Sequence, residues 1–247
     1  VVVALAASLG NLLDRAPGRT TKVALLAVAV GTVLGFIWYT GHPFGLPSLG
    51  QILTDPYCAL PPANRVQIGG GAECRLVAFG VFEQFVLRLQ VAATAGALLS
   101  SPVWFAQIWG FITPGLYAKE KRFAYTFVTA AVVLFTAGAV LAYFVVTQAL
   151  QFLFTIGGDV QATVLRGSDY FSLLLALLII FGVSFELPLL VIMLNRVGVV
   201  AYEQLKRWRR GLIFGLFVFA ALATPGQDPI SMLALGVSLV LLLEFAI

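Results

Sequence analysis

Twice in this chain more than a full membrane thickness of sequence passes without a formal charge. There are 30 residues between Arg88 and Lys119, and 36 between Arg122 and Asp159. A helix needs about 20 apolar residues to cross roughly 30 Å of hydrocarbon. A soluble domain of ordinary composition, about 25% charged, does not leave such gaps. Here 11% of 247 residues are charged and 60% are hydrophobic, with a mean hydropathy of +0.99. The apolar residues run continuously rather than alternating, which excludes a transmembrane barrel. Their abundance also excludes disorder. The expected class is an all-α polytopic membrane protein.

Reading the gaps between charges predicts six spans, at about 23–39, 89–112, 124–147, 170–194, 211–224 and 230–247, in one transmembrane domain covering 1–247. Pro102 is expected to kink the second by removing a backbone donor. The third gap is long enough for a helix that projects beyond the bilayer. The last two spans, separated by Pro225-Gly226-Gln227-Asp228-Pro229, read as a short helical hairpin. The chain opens without Met and stops inside an apolar run, so both ends are expected to be truncated.

Orientation follows from lysine and arginine. Arg15, Arg19, Lys22, Lys119, Lys121, Arg122, Arg196, Lys206, Arg207, Arg209 and Arg210 fall on one side, which is 11 of the 15. Arg65, Arg75, Arg88 and Arg166 fall on the other. The positive-inside rule puts the larger set, and both termini, in the cytoplasm. The net charge of +4 is then topology rather than a nucleic-acid surface. The cluster Lys206 to Arg210 reads as an anchor to the lipid bilayer at anionic headgroups. Cys58 and Cys74 share the exterior loop 40–81, where a disulfide would contribute roughly 3 kcal/mol. Free thiols are the alternative, and with His42 the pair is too small a set for zinc.

The polar residues exclude most chemistry. His42 is the lone histidine and lies in the exterior loop, away from any nucleophile it could serve as base. Asp228 has no second aspartate beside it for aspartyl catalysis. No glycine-rich phosphate loop is visible, so neither an enzyme nor a cofactor or metal site is expected. What remains is a few carboxylates at unusual depth. Glu186, mid-span beside Pro188, costs roughly 2.5–3.5 kcal/mol to insert on scales for the worst residues. It is either a polar point facing a cavity or partner helix, or a structural hydrogen bond between spans. Glu244 and Gln107 are candidates of the same intramembrane polar kind. Asp228, in the exterior turn, is suited to capping the last helix. In the first cytoplasmic hairpin, Glu120 stands beside Phe111 and Tyr117 among Lys119, Lys121 and Arg122. It is either a helix-terminal acid favoured by the dipole or an acceptor for a guanidinium, helped by aromatic faces.

Four blocks in order carry a family resemblance. They are Ser101-Pro-Val-Trp104 with Gln107-Ile-Trp-Gly-Phe-Ile-Thr-Pro-Gly-Leu-Tyr117 and Glu120-Lys-Arg122; Phe181-Gly-Val-Ser-Phe-Glu-Leu-Pro188; Thr224-Pro-Gly-Gln-Asp-Pro229; and Leu243-Glu244. Together they resemble the TatC family, the multispanning receptor subunit of the twin-arginine protein translocase, over about Phe82 to Ile247. The loop from Pro56 to Arg75 looks like an actinobacterial version. The resemblance implies a six-helix, concave, glove-like bundle in the bacterial plasma membrane. It implies binding of the twin-arginine signal peptides of folded cargo, with export driven by the proton-motive force. Glu120 matches the arginine-binding acid, with Phe111, Pro114, Tyr117 and Arg122 around it. Glu186 matches the intramembrane acid facing single-span TatA-like and TatB-like subunits in an oligomeric complex.

The sequence departs from the family near its start. Where a His-Leu-x-Glu-Leu-Arg motif is expected, alignment back from Gly35 places Ala16-Pro17-Gly18. Proline and glycine should break a helix there, and Asp14 is the nearest acid. Two other classes are alternatives: an ion-coupled small-solute transporter using Glu186, and a structural scaffold. The transporter predicts inverted repeats, which are not visible in the sequence. The scaffold predicts indifference to loss of Glu120.

Overall fold

The computed structural model describes residues 17–41, 47–60, 74, 76, 80–112, 121–157, 166–196, 198, 200–225 and 228–246. The regular elements among them are helices: α1 Pro17–Thr40, α2 Leu49–Cys58, α3 Val81–Leu99, α4 Ser101–Ile112, α5 Lys121–Gly157, α6 Gly167–Ser184, α7 Leu187–Arg196, α8 Tyr202–Ala223 and α9 Pro229–Ala246. Prolines mark where several begin. Pro17 and Pro229 open α1 and α9, while Pro102 and Pro188 stand second in α4 and α7. In a first turn, proline gives up a donor that has no intrahelical partner anyway, and its ring prevents the preceding helix from running on.

Packing divides the chain into two compact units, Val1–Leu49 with Arg88–Thr136, and Gly50–Leu87 with Ala137–Ile247. In the first, α1 meets α3 backbone to backbone. A Cβ on Gly31 would lie 2.6 Å from the Gly96 carbonyl oxygen, and one on Gly96 would lie 2.4 Å from the Thr32 nitrogen. One turn on, a Cβ at Gly35 would be 2.8 Å from the Ala92 oxygen. Small residues let helices approach this closely in lipid, where packing replaces the hydrophobic effect as the driving force. Leu25, Leu26, Val30, Val33, Leu34 and Ile37 of α1 remain exposed, as suits side chains meeting acyl chains.

The bend of 56° between α3 and α4 occurs where Pro102 was expected to act. Its polar groups are covered locally. The Trp104 indole donates to the Ala97 carbonyl at 3.0 Å, and the Ser100 hydroxyl donates to the same oxygen at 3.2 Å. Trp104 then stacks on Phe105 at 3.9 Å between centroids, and both meet Phe135 edge-on.

In the second unit, α2 is an element absent from the sequence reading, which left 40–81 as loop. Pro56 lies inside α2, so the carbonyl of Ile52 loses the N–H four residues on. The Tyr143 hydroxyl of α5 donates to it at 2.8 Å. The Tyr170 hydroxyl of α6 donates to the next carbonyl, Leu53, at 2.6 Å. Tyr57 packs on the Tyr170 ring at 5.7 Å, and both are buried. A Cys58–Cys74 disulfide, 5.8 Å between Cα atoms, ties the end of α2 to the segment preceding α3.

The α8–α9 hairpin has a defined register. Phe217 faces Gly236, where a Cβ would come within 2.8 Å of the ring. Arg209 of α8 reaches Glu244 of α9. Both pairs are centred on the same point, between positions 226 and 227, as antiparallel helices of equal rise require.

Several boundaries differ from the sequence reading. The span placed at 211–224 begins nine residues earlier, at Tyr202, so Lys206 to Arg210 ride on a helix rather than in a connecting loop. Lysine and arginine are good helix formers with long apolar stems, and a charge-based window ends where the helix does not. For the same reason α3 begins at Val81 and carries Arg88, and α5 runs 37 residues instead of ending at 147. The span 170–194 is broken into α6 and α7. Pro17 and Gly18 lie at the opening of α1 and do not interrupt it. By length and composition, three helical stretches can cross a membrane (Thr126–Thr155, Gly167–Arg196 and Pro229–Ala246), or four with the bent α3–α4 pair.

Gly96→Ala is expected to force α1 and α3 apart and to destabilise the protein by about 1–3 kcal/mol, the usual cost of overpacking. Thermal unfolding in detergent would register it, and an unchanged melting temperature would refute the close crossing. Tyr170→Phe removes one buried hydroxyl and should cost about 1 kcal/mol by the same measurement, with the ring contact to Tyr57 kept.

Candidate functional site

Glu186 stands in the two-residue turn between α6 and α7. Pro188 removes the donor that would have reached the Ser184 carbonyl. The turn is held by Phe185 N–H to Phe181 O at 3.0 Å, Glu186 N–H to Val183 O at 3.1 Å and Leu190 N–H to Glu186 O at 3.0 Å. The backbone of Glu186 is thus engaged on both sides while its side chain is only 8% exposed. Among the described residues, neither carboxyl oxygen has a hydrogen-bond partner. α5 presses against this turn through Gly138, where a Cβ would lie 2.6 Å from the Phe181 oxygen and 3.0 Å from the Phe185 ring. Gly138 went unnoticed in the sequence, where one glycine in an apolar helix has no distinguishing neighbour.

An unpaired buried carboxylate contributes nothing to stability and carries the full cost of its desolvation. Its chemistry is that of a polar group awaiting a hydrogen-bond partner. Gln107 has the same character in the other unit: half-buried on α4, with its Nε2 lacking a partner.

Two other candidate acids, Glu244 and Asp228, are already engaged. Glu244 accepts from Arg209 Nε at 2.6 Å and from Nη2 at 2.5 Å. This bidentate pair closes the open end of the α8–α9 hairpin. A fork of this kind is the strongest arrangement of the two groups, yet both are partly exposed, which keeps its net contribution modest. At the other end, Asp228 caps α9. One carboxylate oxygen accepts the Ser231 N–H at 2.7 Å, and the residue is 2% exposed. The hairpin therefore uses Asp228 at its turn and Glu244 at its mouth as fasteners. The Arg209–Glu244 pairing was open to sequence reasoning, because the two residues are equidistant from the turn.

The proposed guanidinium site lies mostly outside the described residues. Residues 113–120, with Pro114, Tyr117 and Glu120, are not among them, nor are the side chains of Phe111 and Arg122 at the neighbouring ends of α4 and α5. His42 also lies outside. Among the described residues, no cluster of three or more metal-ligating side chains occurs.

Comparison with known proteins bears on all of these blocks at once. Residues 16–237 match the family model described as Sec-independent protein translocase protein (TatC). The TatC protein of Corynebacterium kroppenstedtii is 47% identical over 91% of this chain and 56% of its own length. That of Frankia casuarinae is 46% identical over 91% of this chain and 60% of its own. The chain thus spans less than two thirds of these two relatives. The TatC of Carboxydothermus hydrogenoformans is 32% identical over 91% of this chain and 85% of its own length. Two crystal structures of the twin arginine translocase receptor TatC superpose with TM-scores of 0.73 and 0.71, each at 27% identity over 92% of this chain. They cover 94% and 92% of the solved chains. The chain belongs to the TatC family.

Proposed function

We propose that the chain is the signal-peptide receptor and core subunit of a twin-arginine translocase, a multi-pass protein of the bacterial plasma membrane. The family match over 16–237 carries this reading, because it takes in the Phe111–Arg122 hairpin, the Glu186 turn and the α8–α9 hairpin together. Six crossings follow if α1, the bent α3–α4 pair, α5, α6–α7, α8 and α9 each count as one. The start of α1, the end of α9 and the basic start of α8 then face the cytoplasm.

Glu120 accepts a guanidinium of the incoming signal peptide. Phe111, Pro114, Tyr117 and Arg122 shape the surrounding surface. Glu186 is the intramembrane acceptor that a polar side chain of a single-span TatA-like or TatB-like subunit satisfies, with Gln107 as a second polar group for such a subunit. The paired state of Glu244 supports a structural role for it instead. The protein binds and organises, without catalysing a covalent step, and transport draws on the proton-motive force.

Glu120→Ala should lower crosslinking of a twin-arginine precursor by about tenfold or more, the loss expected for one charged hydrogen-bonded partner, in protein that still inserts. Undiminished crosslinking would sink the assignment. With Glu186→Ala, precursor binding should persist while assembly with single-span partners, and export, fail. Normal export would mean that the acid is dispensable.

A further inference from the structure

The outward face of α8 joins two kinds of surface. Lys206, Arg210, Phe214, Val218 and Leu222 recur every four residues and so form one stripe. All five are exposed, Phe214 at 72% and Leu222 at 83%. Arg207 and Trp208, the latter 68% exposed, flank the basic end. Elsewhere around the helix, Leu205 and Ala220 are buried and Phe217 meets Gly236 of α9. The cations are not equivalent. Arg209 is taken up by Glu244, whereas no ion pair engages Lys206, Arg207 or Arg210 among the described residues. A depression of about 370 Å³ lined by Glu203, Gln204, Lys206 and Arg207 opens at the head of the stripe.

We propose that this face binds one anionic glycerophospholipid with a hydroxylated headgroup, of the phosphatidylglycerol class. Lys206, Arg207 and Arg210 hold its phosphodiester, and Phe214, Val218 and Leu222 lie along an acyl chain. Three cations without an ion pair among the described residues call for an anion. An apolar stripe continuing from them down the same helix calls for that anion to carry a hydrocarbon tail. Glu203, in the same depression, repels a bare phosphate but accepts hydrogen bonds from headgroup hydroxyls. Trp208 suits the boundary between headgroups and acyl chains.

The test is native mass spectrometry of the full chain, extracted in detergent and offered equal amounts of phosphatidylglycerol and phosphatidylcholine of matched chains. The unaltered protein should prefer phosphatidylglycerol. Each cation near an anionic surface is worth about fivefold, so Lys206→Gln, Arg207→Gln and Arg210→Gln together should cut that preference on the order of 100-fold. Arg209→Gln, in the same turn but committed to Glu244, should change it by less than about twofold. Phe214→Ala with Leu222→Ala should weaken retention of both lipids. Soluble glycerophosphoglycerol, which lacks acyl chains, should fail to displace the lipid. An unchanged preference in the triple variant overturns the proposal, as does full displacement by the headgroup alone. Loss of a co-purifying single-span protein with lipid retained would identify the face as a protein interface and also overturn it. The readout involves no export, so its outcome is independent of the translocase reading.

Discussion

In hydrocarbon every backbone N–H and C=O must find its partner inside the protein, because no water stands ready to take its place. The positions of the prolines show how this chain meets that demand. At Pro17, Pro102, Pro188 and Pro229 the missing donor falls in a helix's first turn, where it would have been orphaned anyway. At the α3–α4 break the Ala97 carbonyl is covered by side chains close in sequence, those of Trp104 and Ser100. Pro56 is the exception, since it lies inside α2 and frees a carbonyl there. That group is met from 91 residues away by Tyr143, and its neighbour from 117 away by Tyr170. A local defect in α2 has become the means by which α2 is held to α5 and α6.

The same accounting separates the acids. Asp228 and Glu244 have donors, and both bind the α8–α9 hairpin to itself. Glu186 has a backbone fully used by its turn and a side chain with nothing to accept. It is the more costly arrangement, and the chain places it where Pro188 has already broken the helix and where Gly138 brings α5 to the Phe181 backbone. The glycine leaves no side chain there that could serve as donor.

How much of this could be read from the sequence depended on the range of the interaction. Class, helical content and the Pro102 bend follow from local rules: the length of uncharged runs and the loss of one donor. Helices run past the predicted spans wherever charge was taken as the end of a span, as at Lys206–Arg210, because a helix continues through lysine and arginine beyond the hydrocarbon. α2 does carry apolar residues at helical spacing, Leu49, Ile52, Leu53 and Tyr57, but Pro56 within it argues locally against a helix, and the hydroxyls that meet its free carbonyls, from Tyr143 and Tyr170, lie far off in the chain. Glu186 stood out as a lone acid in a long apolar run, and its burial is legible for the same reason. Its lack of partners is not, since that depends on what α5 presents to it. Of the proposed guanidinium site, the residue types and spacing are legible in the sequence, while Glu120, Pro114 and Tyr117 lie outside the described residues.

Placing an unsatisfied acceptor at a break has a consequence for recognition. A transmembrane helix has little to gain from apolar contact with another, because lipid tails offer nearly the same. A buried carboxylate without donors changes that balance. The desolvation cost of Glu186 is already present in the isolated chain, so a partner helix that brings one hydroxyl or amide to it recovers stability that an all-apolar helix cannot. Under the proposed function, selectivity for polar single-span partners then arises from what the site lacks. Among the described residues the acid is left unquenched, which the glycine at 138 favours by bringing α5 in without a side chain.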